Sequence, residues 1–326
     1  MVAALLASQV ERHKPYGGCV PELAARTHLS DLPQMWRELA PDLVNQITHL
    51  GVTAGPGLPG CLLAGVNFAR GVARALRVPL YGLNHLAGHA FSAFIPEIDD
   101  YRLVTIPYPH LALLISGGHT ELFLVKSLTE LVLLGQTRDD AVGELLDKIS
   151  ALLGYGYPGG AVLEKKAREY EGISEDARYT GEFKLPVPMR DSGDLNFSYS
   201  GLKTAVLREV RRGDLASDTV IEETKHASLL AALFSVVAES LWIKVAAALK
   251  EHPVELVTVS GGVAINGFIR ARFAAEGRAR GLTVRFPQPR HCLDNAEMLA
   301  WLLKLYVESN IAPEPFDADS NWNPGL

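Results

Sequence analysis

The chain has 326 residues, of which 48% are hydrophobic and 21% are charged, and its formal net charge at pH 7 is −6. This balance is typical of a soluble globular protein long enough for two domains. A net negative charge argues against nucleic-acid binding over the whole surface, although a local cluster of arginines can still bind phosphate. The three cysteines are far apart and form no CxxC pair, which predicts a reducing compartment, the cytoplasm.

The chain opens with an apolar segment, Met1–Ala7, which runs directly into the polar residues Ser8–Arg12. It lacks the basic residues that precede the apolar part of a signal peptide, so we interpret it as a strand. No uninterrupted apolar run reaches the roughly 18 residues of a membrane span. The sequence therefore predicts no membrane association.

A glycine-rich turn, Thr53–Gly60, separates the apolar residues Leu50–Val52 from a helical pattern over Cys61–Leu76. The pattern predicts a buried strand, a turn and a long helix. Glycine is common in such turns for steric reasons alone. It also allows a phosphate to approach the backbone closely.

Two histidines, His85 and His89, follow another short apolar strand, Val78–Leu83. Their i, i+4 spacing places both imidazoles on one face of a helix, close enough to share a metal ion. An ordinary helix with two partly buried histidines is the alternative. A metal site also needs a third ligand.

Two further segments repeat one pattern, a buried strand that ends in Ser-Gly-Gly. They are Leu111–Thr120 and Val254–Val263, and the second is followed by a helical run over Gly267–Arg280. Together with Thr53–Gly60, they suggest a nucleotide cleft between two related α/β domains. Helical patterns such as Ala227–Leu249 alternate with the strands and agree with this class.

Acidic residues cluster between the two Ser-Gly-Gly turns, where Asp140, Glu144 and Asp147 fall along one side of a predicted helix. A carboxylate in a nucleotide cleft can accept hydrogen bonds from ribose hydroxyls. The alternative is a charged outer face of an amphipathic helix. A further glycine turn, Tyr157–Gly160, follows. The polar segment Asn196–Thr204 is predicted to be a loop that leads into a helix near Leu202.

Asp294 is the candidate third ligand. It precedes a predicted helix that begins at Asn295, so it could simply cap that helix. With His85 and His89 it would complete a set of two histidines and one carboxylate, which suits Fe(II) or Zn(II). The sequence does not match the zincin protease motif, because Leu86 occupies the position where that motif needs glutamate.

The chain resembles the TsaD family of bacterial tRNA threonylcarbamoyl transferases, formerly called glycoprotein endopeptidases. The resemblance runs from Ser8 to Trp301, with the motifs in the family's order. The matching stretches are SQVERHKPYGGCVPELAARTH, TAGPGLPG, NHLAGHAFSAF, LLISGGHTEL, DDAVGELLDKISALLGYGYPGG, FSYSGLKTAV, VSGGVAINGFIRARF and CLDNAEMLAW.

The resemblance implies a two-domain α/β fold of the actin/hexokinase/Hsp70 type, with a nucleotide cleft between the domains. We expect residues 1–108 and 300–326 to form the N-terminal-type domain and residues 109–299 to form the second. Family members begin with a strand and a Gly-Ile-Glu-Thr-Ser-type loop that contributes to phosphate and metal binding, and this chain is expected to lack both. We therefore expect metal and nucleotide binding to survive in part, and transfer to tRNA to require the upstream segment.

The resemblance also implies the reaction, in which threonylcarbamoyl-AMP donates its threonylcarbamoyl group to N6 of adenosine 37 in tRNAs that read codons beginning with A. One Fe(II), or alternatively Zn(II), is expected on His85, His89 and Asp294. The implied partners are tRNA, a paralogous TsaB-like subunit and a small TsaE-like ATPase. The implied substrate-binding residues are Leu114, Ile115, Ser116, Gly117, Gly118, Asp147, Gly160 and Asn266.

Two other functions remain open at this stage. An ATP-dependent kinase or ATPase of the same fold would need an acidic base in the cleft, and the sequence singles out no residue for that role. A non-catalytic scaffold, like the family's degenerate partner subunit, would be expected to lack the metal ligands, which this chain keeps.

Overall fold

The computed structural model describes residues 3–16, 19–96, 104–212 and 220–324 and divides the chain into two compact units. The first unit comprises Met1–Thr105, Leu128–Glu130 and Asp294–Leu326, and the second comprises Ile106–Ser127 and Leu131–Leu293. The domain boundary predicted between residues 299 and 300 would cut a continuous helix. The chain instead enters the first unit at Asp294, before that helix begins.

The first unit contains a two-stranded parallel sheet of β1 (Leu50–Gly55) and β2 (Leu80–Asn84). Helix α4 (Pro59–Leu76) joins the two strands, as a crossover helix does in a βαβ unit. The strand, glycine turn and helix predicted around Thr53–Gly60 are thereby confirmed. The remaining helices of this unit are α1 (Val10–His13), α2 (Pro21–Glu38), α3 (Pro41–Val44), α5 (His85–Ser92) and α12 (Ala296–Glu308).

The strand predicted at the N-terminus is wrong for the residues that the structure describes, because residues 3–9 are irregular. An apolar segment becomes a strand only where a neighbouring strand pairs with its backbone groups. Ala3 and Ala4 instead line an apolar cavity of about 580 Å³ beside α3 and α12.

The second unit is built on a five-stranded mixed sheet with the strand order β5-β4-β3-β6-β7. Strand β3 pairs antiparallel with β4 and parallel with β6, and β6 pairs parallel with β7. All residues of β3, β4 and β6 are buried, as expected of strands covered on both faces. The strands are β3 (His110–Ile115), β4 (Thr120–Val125), β5 (Leu131–Gln136), β6 (Leu256–Ser260) and β7 (Thr283–Arg285).

The helices of the second unit pack around one hydrophobic core that includes Leu113, Leu145, Val206, Leu233 and Phe273. They are α6 (Val142–Leu152), α7 (Gly160–Ala167), α8 (Ser200–Arg212), α9 (Val220–Glu251), α10 (Gly267–Arg280) and α11 (Pro289–Cys292). Over Thr224–Glu251, α9 is long and apolar enough to cross a membrane, but 78% of its most apolar part is buried inside the protein. It is therefore the core helix of this unit.

Candidate metal centre and glycine-rich loops

The two candidate metal-binding histidines lie at the start of α5, directly after β2. Asn84 caps this helix, because its side-chain oxygen accepts hydrogen bonds from the backbone N–H groups of Leu86 (2.9 Å) and Ala87 (3.1 Å). Since the cap fixes where the helix begins, His85 and His89 project from one face, with ring centroids 4.7 Å apart.

Gly88 allows the third candidate ligand to approach. A Cβ atom at this position would lie 2.5 Å from Cδ2 of Leu299, so glycine lets the Leu299 side chain of α12 pack closely on α5. Asp294 immediately precedes α12 in the chain. The close packing of the two helices therefore brings the Asp294 carboxylate to the histidine pair.

The three predicted ligands meet at one point of the first unit. Oδ1 of Asp294 lies 3.0 Å from Nε2 of His89 and 3.4 Å from Nε2 of His85. One ligand atom from each residue lies within 4.8 Å of the others. The proposed capping role of Asp294 is wrong, because Asn295 caps α12 by accepting a hydrogen bond from the N–H of Met298 (2.8 Å). The Asp294 carboxylate therefore contacts the two histidines instead of capping α12.

The electrostatics of this cluster favour the protonation states that bind metals. Hydrogen bonds with His85 and His89 hold the pKa of Asp294 well below its usual range, and burial lowers the pKa of His89. A neutral imidazole and an ionised carboxylate are the forms that donate electron pairs to a cation. The His89 side chain is 1% exposed and that of Asp294 is 77% exposed, so the cluster opens to solvent on the carboxylate side.

The donor set fits a borderline divalent ion. Two imidazole nitrogens and one carboxylate oxygen converge, which is typical of Fe(II) and Zn(II) sites that keep positions open for other ligands. Nδ1 of His89 is buried and has no hydrogen-bond partner among the described residues. Its Nε2 atom therefore makes the only polar contact of this ring within the described chain, and that contact is at the cluster.

The first Ser-Gly-Gly turn forms the tight connection between β3 and β4. Ser116 and His119 close it, because the Ser116 N–H donates to the His119 carbonyl (2.8 Å) and the His119 N–H donates to Oγ of Ser116 (3.1 Å). Gly117 and Gly118 are exposed, and no atom lies within 4 Å of the positions where their Cβ atoms would be. The Cβ side of both glycines is therefore open to close approach, whereas the N and Cα atoms of Gly117 lie close to Gly143.

The second Ser-Gly-Gly turn lies beside the first. Leu114 of β3 pairs with Ser260 of β6, so the two parallel strands end at the same edge of the sheet. Gly261 has φ +91°, and a side chain there would collide with the carbonyl oxygen of Ile115. Only glycine is readily accommodated at this position. The two turns predicted from the sequence therefore form one glycine-rich edge.

Helix α6 begins at this edge and carries Asp147. The N–H of Gly143 donates to the Ser116 carbonyl (3.2 Å), and a Cβ atom at Gly143 would lie 2.6 Å from that oxygen. One turn later, Oδ1 of Asp147 accepts the N–H of Gly159 (2.7 Å), just before Gly160. Burial raises the pKa of Asp147, which is half-buried.

Asn266 is held more tightly than the sequence indicates. Its side-chain oxygen caps α10 by accepting from Phe268 (3.1 Å) and Ile269 (3.2 Å), and its amide nitrogen donates to Oε2 of Glu164 (2.9 Å). Oε1 of Glu164 also accepts the N–H of Gly267 (2.9 Å). Glu164 was not among the predicted residues, because nothing in its helical context marks it as a contact of Asn266.

The predicted acidic stripe does not form a single helical face. Asp140 precedes α6, and its carboxylate accepts from Nζ of Lys148 at 2.7 Å. Glu144 pairs with the same lysine at 2.7 Å. Asp147 instead contacts the Tyr157–Gly160 turn.

The third predicted glycine turn, Thr53–Gly60, belongs to the first unit and packs against the chain's own C-terminal segment. The Asp319 N–H donates to the Ala54 carbonyl (2.8 Å), and a side chain at Gly55 would collide with the Asp319 carbonyl oxygen. The close approach that glycine allows here is thus used by protein backbone.

Glu121 is an ionisable residue near the glycine-rich edge that the sequence reasoning missed. It lies on β4 opposite Leu114 of β3, and it is 6% exposed. Among the described residues, Oε2 of Glu121 has no hydrogen-bond partner. Burial raises the pKa of this carboxyl to about 7. A glutamate inside an otherwise apolar strand was the available signal.

The fold is shared with HypF proteins. The crystal structure of T. kodakarensis HypF matches 81% of this chain and 41% of that chain with a TM-score of 0.54 and 16% identity. The structure of full-length HypF in its phosphate- and nucleotide-bound form matches 81% of this chain and 48% of that chain, with the same TM-score and 12% identity. At these identities the likeness concerns the fold alone. It confirms the predicted two-domain α/β class of the actin/hexokinase/Hsp70 type.

Sequence relatives define the family. The model of TsaD, tRNA N6-adenosine threonylcarbamoyltransferase, matches residues 1–301. The tRNA N6-adenosine threonylcarbamoyltransferase of Thermosipho africanus is 38% identical over 98% of this chain and 92% of its own length. The tRNA N6-adenosine threonylcarbamoyltransferase of Thiobacillus denitrificans is 41% identical over 92% of this chain and 83% of its own length. The chain belongs to the TsaD family. The prediction of a transferase that modifies tRNA is confirmed, and neither the kinase nor the scaffold alternative gains support.

Proposed function

We propose that the second unit binds threonylcarbamoyl-AMP, the donor of the group that is transferred to N6 of adenosine 37. The observation that supports this most is the exposed Gly117–Gly118 turn at the end of β3, with open space on the Cβ side of both glycines. Free backbone N–H groups at such a turn can hold a phosphate. The neighbouring carboxylate of Asp147 can accept hydrogen bonds from ribose hydroxyls.

The remaining implied contacts extend along the same edge. Leu114 and Ile115 are buried, so they contribute backbone atoms to this proposal and no side-chain contacts. Gly160 follows the turn that Asp147 holds. Asn266 is 5% exposed and its side chain caps α10, so we assign it the role of shaping the edge.

The proposed reaction needs no nucleophile from the protein, because the donor is already an activated mixed anhydride. The N6 amine forms a C–N bond with the carbamoyl carbon, and the C–O bond to the phosphate breaks. AMP leaves with the bonding electron pair, and the amine loses one proton. Glycine-turn amides that hold the phosphate also stabilise the negative charge of the leaving AMP.

We further propose that the first unit holds one Fe(II), with Zn(II) as the alternative, on His85, His89 and Asp294. The convergence of two imidazoles and one carboxylate supports this assignment. When bound, such an ion would supply Lewis-acid stabilisation of negative charge on a ligand oxygen. The chain's own part is to fix the ligands, which the Asn84 cap and the Gly88 contact do.

The implied partners complete the proposal. We propose that the chain acts in the cytoplasm on tRNAs that read codons beginning with A. It works there with a paralogous TsaB-like subunit and a small TsaE-like ATPase. The acidic net charge of −6 supports a need for partners, because an acidic chain offers phosphate only local contacts.

The donor site is tested by Asp147→Asn. This change removes the charge but keeps an oxygen that can accept the Gly159 N–H. We expect binding of a non-hydrolysable threonylcarbamoyl-adenylate analogue to weaken by about 1–3 kcal/mol, the range for a lost hydrogen bond to a charged group. Isothermal titration calorimetry measures this change.

The matched control is Glu144→Gln, which removes one charge from the same helix at a residue that pairs with Lys148. We expect this variant to bind the analogue nearly as tightly as the unmodified chain. Unchanged affinity in Asp147→Asn, or equal losses in both variants, would show that Asp147 does not contact the ribose.

A further inference from the structure

Helix α8 has one face in the core and one in solvent. Leu202 and Val206 are fully buried in the hydrophobic core of the second unit. The exposed residues Thr204, Arg208 and Arg211 recur at intervals of four and three, so they line one face of the helix. We call these three residues the α8 basic face.

The arginines of this face have no competing partner in the described chain. Neither Arg208 nor Arg211 forms an ion pair or a side-chain hydrogen bond with any described residue. Their positions differ by three residues, so they are about 4.5 Å apart along the helix axis. Two long guanidinium side chains at this spacing can reach neighbouring phosphates of one strand.

Part of the other arginine-rich stretch, residues 270–290, is engaged within the protein, whereas Arg278 and Arg290 in it are exposed. Arg270 donates to the Ala264 carbonyl (2.7 Å) and lies over the Phe286 ring. Arg272 is 3% exposed and pairs with Glu239. Arg270 and Arg272 hold the second unit together, whereas the two arginines of the α8 basic face are available to a ligand.

Helix α8 is also anchored beside the glycine-rich edge. The Asp139 carboxylate accepts the N–H of Tyr199 (2.7 Å) and the hydroxyl of Ser200 (2.8 Å) at the start of this helix. Asp139 lies three residues before Val142, the first residue of α6, whose N-terminus contacts the Ser116 turn. Helix α8 therefore begins near the N-terminus of α6, beside the proposed donor site. The α8 basic face runs from there toward the C-terminal end of α8.

We propose that the α8 basic face binds the phosphate backbone of the substrate tRNA. The proposal rests on the proposed function, since a tRNA that presents its adenosine to the donor must contact the surface around the donor site. Charge complementarity identifies the occupant, because a polyanionic backbone matches two unpaired arginines on an otherwise acidic chain. Arg212 also belongs to this stretch, but its side chain lies outside the described part of the chain.

The test is the affinity of the full chain for unmodified tRNA as a function of salt, measured by fluorescence anisotropy. We expect Arg208→Gln/Arg211→Gln to weaken binding roughly 25- to 60-fold at 0.1 M monovalent salt. The slope of log K against log salt should become shallower by about 1.4–1.8, because each lost phosphate contact contributes about 0.7–0.9. Arg208→Lys/Arg211→Lys keeps both charges and should keep the original slope.

The matched control is Arg37→Gln/Arg74→Gln, which removes the same charge from exposed helix ends in the first unit. It should leave the slope unchanged. An unaltered affinity in the α8 glutamine variant, or equal losses in the control, would overturn the proposal. If Asp147→Asn weakens analogue binding but the α8 glutamine variant binds tRNA normally, the α8 proposal is wrong and the donor proposal stands. If Asp147→Asn leaves analogue binding unchanged but the α8 glutamine variant loses tRNA affinity, only the donor proposal is wrong.

Discussion

Replacing His85 and His89 together by alanine is expected to reduce bound transition metal from one ion per chain to almost none. The two imidazoles supply both nitrogen donors of the cluster, and a single carboxylate that is 77% exposed binds borderline ions weakly in water. The fold should persist, because the Asn84 cap and the Gly88 contact with α12 do not involve either imidazole. Metal analysis after reconstitution with Fe(II) or Zn(II) measures the loss.

The matched control for this variant is His49→Ala/His252→Ala, which removes two imidazoles that lie outside the cluster. This control should retain the metal. Far-UV circular dichroism should be nearly the same for all three proteins. Full metal occupancy in the His85/His89 variant would show that the ion binds elsewhere.

Glu121→Gln is expected to stabilise the chain at alkaline pH. Burial raises the pKa of Glu121 to about 7, above its value of about 4.5 in an unfolded chain. The folded state therefore binds this proton more tightly than the unfolded state. Stability falls as the pH rises from about 4.5 through about 7, because the folded protein must either keep the proton or bury a charge.

The size of the effect follows from the two pKa values. One pKa unit corresponds to about 1.4 kcal/mol, so the glutamate costs about 3 kcal/mol at pH 8 and less than about 1 kcal/mol at pH 5. Glutamine resembles the protonated carboxyl and carries no titratable proton, so it removes this penalty. The gain in the free energy of unfolding should accordingly be about 3 kcal/mol at pH 8 and fall below about 1 kcal/mol at pH 5.

Urea denaturation of both proteins at pH 5 and pH 8 measures this difference, since the other titrating groups cancel in the comparison. Glu182→Gln is the control, because Glu182 is exposed and its substitution should change the stability little at either pH. A parallel pH dependence of the unmodified protein and Glu121→Gln would contradict the raised pKa of this buried carboxyl.

Local sequence patterns were sufficient for the elements around the site. Strand β2 and the helix that begins at His85 could be predicted because an apolar run and the i, i+4 histidines are adjacent in the chain. The two Ser-Gly-Gly turns were found for the same reason. The repeated pattern suggested a nucleotide cleft between two related domains, whereas parallel pairing of β3 with β6 places these two turns side by side in one sheet.

Contacts between distant segments could not be predicted in this way. Asn295 rather than Asp294 caps α12, and the two adjacent polar residues are equally plausible caps in sequence. Glu164 holds the amide of Asn266 across 102 residues of chain. The C-terminal segment covers Gly55, although that turn matches the other glycine turns in composition. Each outcome depends on which segments pack together, and composition does not encode that.

The most direct test of the proposed sites is a crystal structure of the chain with Fe(II) and a non-hydrolysable threonylcarbamoyl-adenylate analogue. The predicted result is an anomalous peak at iron's absorption edge with His85, His89 and Asp294 as its protein ligands. The phosphate of the analogue should lie on the backbone amides of Gly117 and Gly118, with its ribose at Asp147. An iron peak away from those three side chains, or an adenylate bound away from the glycine-rich edge, would contradict the assignment.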